Sequence, residues 1–115
     1  METSMQQRQG APPFRVEIEP DLRRVRVIPH AELDLVTVEQ LRAQIDELRS
    51  NSAAAIVLDL RQLSFMDSTG LRLLLALDAA ARCDGFDFMI VDADGPIRRL
   101  LELTRLDKHF QHADN

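Results

Sequence analysis

The side chains most able to do chemistry in this sequence crowd together at Asp67-Ser68-Thr69, followed at once by Gly70. Asp, Ser and Thr are the residues that cap helix N-termini, because their side-chain oxygens accept from backbone N–H groups that have no partner within the helix. One cap suffices, yet three candidates stand in a row. Gly70 falls in the first helical turn, where glycine costs up to about 1 kcal/mol relative to alanine. A glycine there removes a side chain and lets another backbone come close to the hydroxyls. A serine at an exposed helix start is also a place where phosphate changes the local charge by about −1.5 to −2. Ser68 is therefore a candidate modification site, and Thr69 is the second hydroxyl.

The other reactive residue types form no comparable group. Asp59 ends an apolar run, where a phosphoacceptor aspartate would sit in a receiver domain. That chemistry needs an acidic cluster for Mg²⁺ and a lysine for the phosphoryl group. No acidic pair follows the first strand, and Lys108 is the only lysine. Asp59 reads instead as a strand-end residue bonding a loop amide. Cys83 has no base beside it and reads as a structural thiol late in a helix. His109 and His112 would face opposite sides of a strand, which argues against a shared metal. His30 reads as a solvated loop histidine. The four glycines build neither G-x-G-x-x-G nor G-x-x-x-x-G-K, so no phosphate-cradling loop is present.

Composition narrows the class. The chain has 115 residues, the size of one domain. It is 45% hydrophobic and 29% charged, which is a globular balance. Trp and Tyr are absent, so the core must be aliphatic, helped by five Phe. The net charge of −5 argues against nonspecific contact with nucleic acid or anionic membranes. A single Cys excludes an intrachain disulfide. The start of the chain lacks the apolar stretch of a signal peptide. The most apolar run, residues 71–81, is too short to span a bilayer. A cytoplasmic location is expected.

The elements that must position Ser68 follow from periodicity. Residues 1–13 read as a flexible tail before the domain, residues 14–115. Phe14, Val16 and Ile18 alternate with charged residues, the pattern of a half-buried strand. Pro20-Asp21 supplies a turn, and Val25 and Val27 continue in an antiparallel partner. Thr37 and Gln40 have capping-box spacing, and Val36 and Leu41 that of a hydrophobic staple. Val38, Leu41, Ile45 and Leu48 form the stripe of a first helix. Residues 53–60 are apolar on both faces, as in a central parallel strand. After a short loop the second helix opens at Ser68, burying Leu71, Leu74, Leu75 and Leu77. A strand over 86–91 follows. Pro96 then starts a third helix with Ile97, Leu100, Leu101 and Thr104 inward. Residues 109–113 add a short edge strand. The order is β-β-α-β-α-β-α, with a last β: an α/β domain whose mixed sheet has an antiparallel N-terminal hairpin and then parallel strands, packed with three or four helices.

Three segments resemble the STAS domain family. Ala31-Glu32-Leu33-Asp34 before the first helix is similar to the family's G-E-L-D. Residues 56–71, IVLDLRQLSFMDSTGL, resemble its signature strand, loop and helix start, and residues 96–107 its last core segment. The D-S-T-G block resembles that of stand-alone bacterial anti-sigma factor antagonists. The resemblance implies a partner switch with no cofactor and no enzymatic activity of its own. Unmodified, such a protein binds an anti-sigma factor that is also a serine kinase and so releases a sigma factor. Phosphorylated at the position of Ser68, it lets go, and a metal-dependent serine phosphatase resets it. The partner surface implied comprises Glu32, Asp34, Asp67, Ser68, Thr69, Gly70 and Arg72. The alternative is a non-phosphorylated STAS scaffold subunit of a signalling or lipid-transport complex. Three departures stand out. Ala31 and Arg105 replace the family's glycines in G-E-L-D and T-G-L-D, which predicts altered backbone angles before Asp34 and at the end of the third helix. The chain also stops at Asn115, so the family's final helix is expected to be short or missing.

Overall fold

A computed structural model describes residues 12–21, 24–92 and 94–113. The expected tail falls mainly on residues 1–11, outside the described residues, and after residue 103 the described residues form no further helix. Among the described residues six strands and three helices run in the order β1 (Arg15–Asp21), β2 (Arg24–Leu33), α1 (Val38–Ser50), β3 (Ala55–Asp59), β4 (Leu63–Met66), α2 (Ser68–Asp84), β5 (Asp87–Val91), α3 (Pro96–Leu103) and β6 (Gln111–His112).

The sheet order is β1-β2-β3-β5-β6, with β4 pairing the far end of β2. β1 and β2 are antiparallel, with Ile18 opposite Val27, and every other pair is parallel. The ladder runs through Pro20 and Asp21, which pair with Val25 and Arg24 rather than making the expected turn. Pro20 is tolerated because β1 is an edge strand. β3 lies in the middle, and Ile56, Val57 and Leu58 are all buried, as an apolar run on both faces requires. The core is aliphatic: Val27, Leu33, Leu41, Ile45, Ile56, Leu58, Leu74, Ile90 and Leu101 pack together, with Phe88 and Phe110 edge to face.

Several local expectations are corrected. The loop before α2 contains β4, whose four residues do not alternate and so carry no strand periodicity. Leu75 is only half-buried, and Thr104 is exposed, its hydroxyl turned back to the Leu100 carbonyl at 2.8 Å. No capping box forms at α1, because the Thr37 hydroxyl donates instead to the Glu32 carbonyl at 2.8 Å. The staple is absent too, with Val36 84% exposed.

Ala31 and Arg105 both adopt left-handed backbone, with φ of 77° and 60°. Ala31 stands at the irregularity where β2 changes partner from β3 to β4. Arg105 follows α3, where the Leu106 N–H closes onto the Leu101 carbonyl at 2.8 Å and the Arg105 N–H onto Glu102 at 3.0 Å. That is the hydrogen bonding of a helix normally ended by glycine. The altered ending expected at Arg105 is therefore not seen. The backbone goes where a glycine would take it, at a cost of about 1–2 kcal/mol for a residue with a Cβ.

Candidate functional site

The N-terminus of α2 is built by Asp67. Its extended backbone (φ −101°, ψ −170°) lets the carboxylate turn back over the first turn and accept from the N–H groups of Thr69 at 2.9 Å and Gly70 at 3.3 Å. The Thr69 hydroxyl donates to the same oxygen. That bond, first, and the amides of Gly70, Thr69 and Leu35 hold the Asp67 carboxyl below the usual range against a smaller opposing effect of burial. The three candidate caps are thereby told apart: Asp67 caps, Thr69 braces the cap from a half-buried position, and Ser68 does neither. Ser68 is exposed, and its hydroxyl bonds no described residue.

Gly70 has a different role from the one its position suggested. It is buried, and a Cβ there would lie 2.5 Å from Met66 Cγ and 3.1 Å from Leu33 Cδ2. The close approach that needs glycine is made by the chain's own core, so Gly70 seats α2 on β2 and β4 and is not open to a partner.

The neighbouring segment is tied to the same residue by its backbone, the Asp67 N–H donating to the Leu33 carbonyl at 3.2 Å. Asp34 is turned inward on that segment, its Oδ1 accepting from the N–H groups of Val36 at 3.0 Å and Thr37 at 3.1 Å. Glu32, half-buried, lies in register with Phe65 of β4, and Arg72 is exposed one turn beyond Ser68. The structure therefore gathers Asp67, Ser68, Thr69 and Gly70 at one helix start, with the Asp34 loop against it and Glu32 reached across β4.

Sequence reasoning missed the apolar residues of this region. Leu35 is 72% exposed, Val36 84% and Phe65 46%. Staple spacing would place Val36 against Leu41, and Phe65 lies in β4, a strand without alternation. The available signal was Leu35-Val36 sitting between two polar turn residues, Asp34 and Thr37, which leaves no partner surface for both side chains.

Away from this site, Asp59 is buried and accepts from the Arg61 amide at 3.1 Å, as a strand-end aspartate should. Burial pulls its pKa up. The Arg61 side-chain bond at 2.6 Å, the Arg61 amide and the charges of Arg61 and Arg26 outweigh that and lower it. His30 is not a loop residue; it lies half-buried in β2, 2.9 Å from Glu17 Oε1. Cys83 is exposed rather than structural. His109 and His112 reach separate carboxylates, Asp78 at 3.2 Å and Asp92 at 3.5 Å. Among the described residues no group of three or more His, Cys, Asp or Glu could hold a metal, and no helix is long and apolar enough to cross a membrane.

The description of the STAS domain matches residues 15–115, from β1 through β6. The chain belongs to the STAS domain family. It is 35% identical over 85 residues to the anti-sigma F factor antagonist of Paenibacillus polymyxa, covering 73% of this chain and 73% of that protein. This STAS domain also superposes on the crystal structure of an anti-sigma factor antagonist from Mycobacterium paratuberculosis with a TM-score of 0.77, at 28% identity over 90% of this chain and 87% of that one. The phosphorylated form of SpoIIAA, a Bacillus cell fate determinant, gives a TM-score of 0.66 at 25% identity over 90% of this chain and 93% of that one. The mixed sheet and three helices of this STAS domain are thus those of anti-sigma factor antagonists.

Proposed function

We propose that this STAS domain is an anti-sigma factor antagonist of the cytoplasm, switched by phosphorylation at Ser68. Unmodified, it binds an anti-sigma factor with serine kinase activity and so frees a sigma factor. Phosphorylated, it dissociates, and a metal-dependent serine phosphatase restores it. The observation that carries this reading is the exposed Ser68 hydroxyl, unbonded by any described residue, at a helix start whose cap is supplied by its neighbour. The names of the relatives supply the class of partner.

The physics of such a switch is local. The hydroxyl stands at the positive end of α2, which partly stabilises a phosphate. Asp67 beside it carries like charge and works against that phosphate. A partner surface fitted to a neutral hydroxyl and to apolar Leu35, Val36 and Phe65 would have to desolvate a dianion, at a cost of several kcal/mol. A loss of about 4 kcal/mol raises Kd by about three decades, with no rearrangement of the fold required.

The test is phosphorylation with Mg²⁺-ATP and the anti-sigma factor kinase, mapped by mass spectrometry, together with titration calorimetry of variants. Ser68→Ala should bind the kinase as the unmodified chain does, and Ser68→Glu roughly a hundredfold more weakly. Equal affinity of both variants would sink the electrostatic switch.

A further inference from the structure

We propose that Asp67 determines which of the two adjacent hydroxyls accepts the phosphoryl group, by holding Thr69 out of reach and leaving Ser68 free. This rests on the phosphorylation switch proposed above and names the residue that sets its specificity. Ser68 and Thr69 are consecutive, of similar chemistry, and both in the first turn of α2. A kinase reading the local sequence alone would meet two acceptors. The fold separates them. The Thr69 oxygen faces Asp67 Oδ1 and donates its proton to it, while its own amide occupies that same carboxylate oxygen at 2.9 Å. Thr69 is half-buried; Ser68 is exposed.

In the transfer, a bond forms between the hydroxyl oxygen and the γ-phosphorus of ATP held by the kinase. The bond from that phosphorus to the leaving ADP breaks, and the hydroxyl proton passes to solvent. At Ser68 the new dianion projects outward over the helix N-terminus. At Thr69 it would replace a donated proton with negative oxygens lying against an ionised carboxylate, and the brace on the cap would be lost. At Thr69 the like charge is in direct contact and the brace is broken; at Ser68 the neighbouring Asp67 opposes the phosphate without a hydrogen-bonded contact, and the brace stays intact. Asp67 thus acts through Thr69 as a specificity-determining residue and touches no substrate itself.

Two experiments on the full chain test this. In the first, the anti-sigma factor kinase that labels the unmodified chain is supplied with Mg²⁺-ATP, and the sites are mapped by mass spectrometry. All label should lie on Ser68, Ser68→Ala should lose it, and Ser68→Ala combined with Asp67→Ala should gain label on Thr69. Label on Thr69 in Ser68→Ala alone overturns the proposal, as does an unlabelled Thr69 in a double variant whose circular dichroism shows it folded. The second experiment needs no kinase. Phosphoserine at 68 or phosphothreonine at 69 is installed by chemical ligation, and thermal unfolding is followed. The 68-modified chain should melt close to the unmodified one, and the 69-modified chain about 5 °C or more lower, the cost of losing a cap. Equal melting of the two overturns the proposal. Failure of any kinase to label the unmodified chain would instead count against the switch at Ser68, and the melting comparison would still decide the role of Asp67.

Discussion

The starts of α1 and α2 solve one problem with the same two residue types and arrive at different results. At α1, Asp34 accepts from the amides two and three residues on, and the Thr37 hydroxyl is drawn into both Asp34 and the Glu32 carbonyl. At α2, Asp67 accepts from the amides two and three residues on, and the Thr69 hydroxyl is drawn into Asp67. In each case an aspartate closes the turn and a threonine steadies the aspartate. At α1 the residues between the two are apolar, Leu35 and Val36. At α2 the residue between is Ser68, whose hydroxyl takes no part in the closure. That exposed serine is the one the proposed switch uses, and the apolar pair at the matching place of α1 is exposed as well.

The comparison is most sharply broken beneath α2, where α1 has no counterpart to Gly70. Gly70→Val would drive a side chain into Met66 and Leu33, both buried. Overpacking of this kind costs about 3 kcal/mol, more than the backbone freedom that glycine gives up. The urea midpoint should fall accordingly. A variant as stable as the parent would mean that α2 can lift away from β4, and that the position of Ser68 is not fixed by the core.

Asp34→Ala, which opens the turn before α1, and Asp67→Ala, which removes the cap of α2, should each lose about 1 kcal/mol in urea unfolding. The Asp67 pKa is lowered in the folded chain, so its contribution is present above the ordinary Asp value near 4 and is lost as pH falls through the folded value. Asp59, lowered as well, contributes in the same direction. Stability of the parent should therefore decline as pH drops below about 4. Asp67→Ala should show a shallower decline, with the share of Asp59 remaining. An unchanged acid slope would show that Asp67 is not ionised in its cap.

These contrasts also mark what the sequence could and could not carry. The doubly apolar run at 56–58 announces a central strand, and the alternation of β1 announces an edge, because sheet period and burial act on consecutive residues. Glycine-like backbone at Ala31 and Arg105 could be placed only against the family pattern, since neither residue type asks for a positive φ. β4 was hidden because four residues pairing with the irregular end of β2 need not alternate. Val36 departs from its staple spacing because that spacing is necessary but not sufficient: the turn closed by Asp34 leaves Val36 exposed and not packed on Leu41. The crowding at 67–69 was legible as an excess of caps. Which of the three was the excess was not, because the choice is made by the extended backbone of Asp67, and that conformation is set by β4 reaching α2 with no spacer but Asp67 itself.

The smallest expected effect is the most discriminating. Ser68→Ala removes a hydroxyl that bonds no described residue, from an exposed position at a helix start whose cap lies elsewhere. Alanine is also the better helix former by a few tenths of a kcal/mol. The unfolding free energy should stay within about 0.5 kcal/mol of the parent. Thr69→Ala, one residue on, removes the brace of the cap and should cost measurably more, on the order of 1 kcal/mol for a lost hydrogen bond to a charged group. If instead Ser68→Ala proves the costlier of the two in urea unfolding, the hydroxyl belongs to the architecture of α2. The likeness between the two helix starts would then be complete, and no spare serine would be left for a kinase.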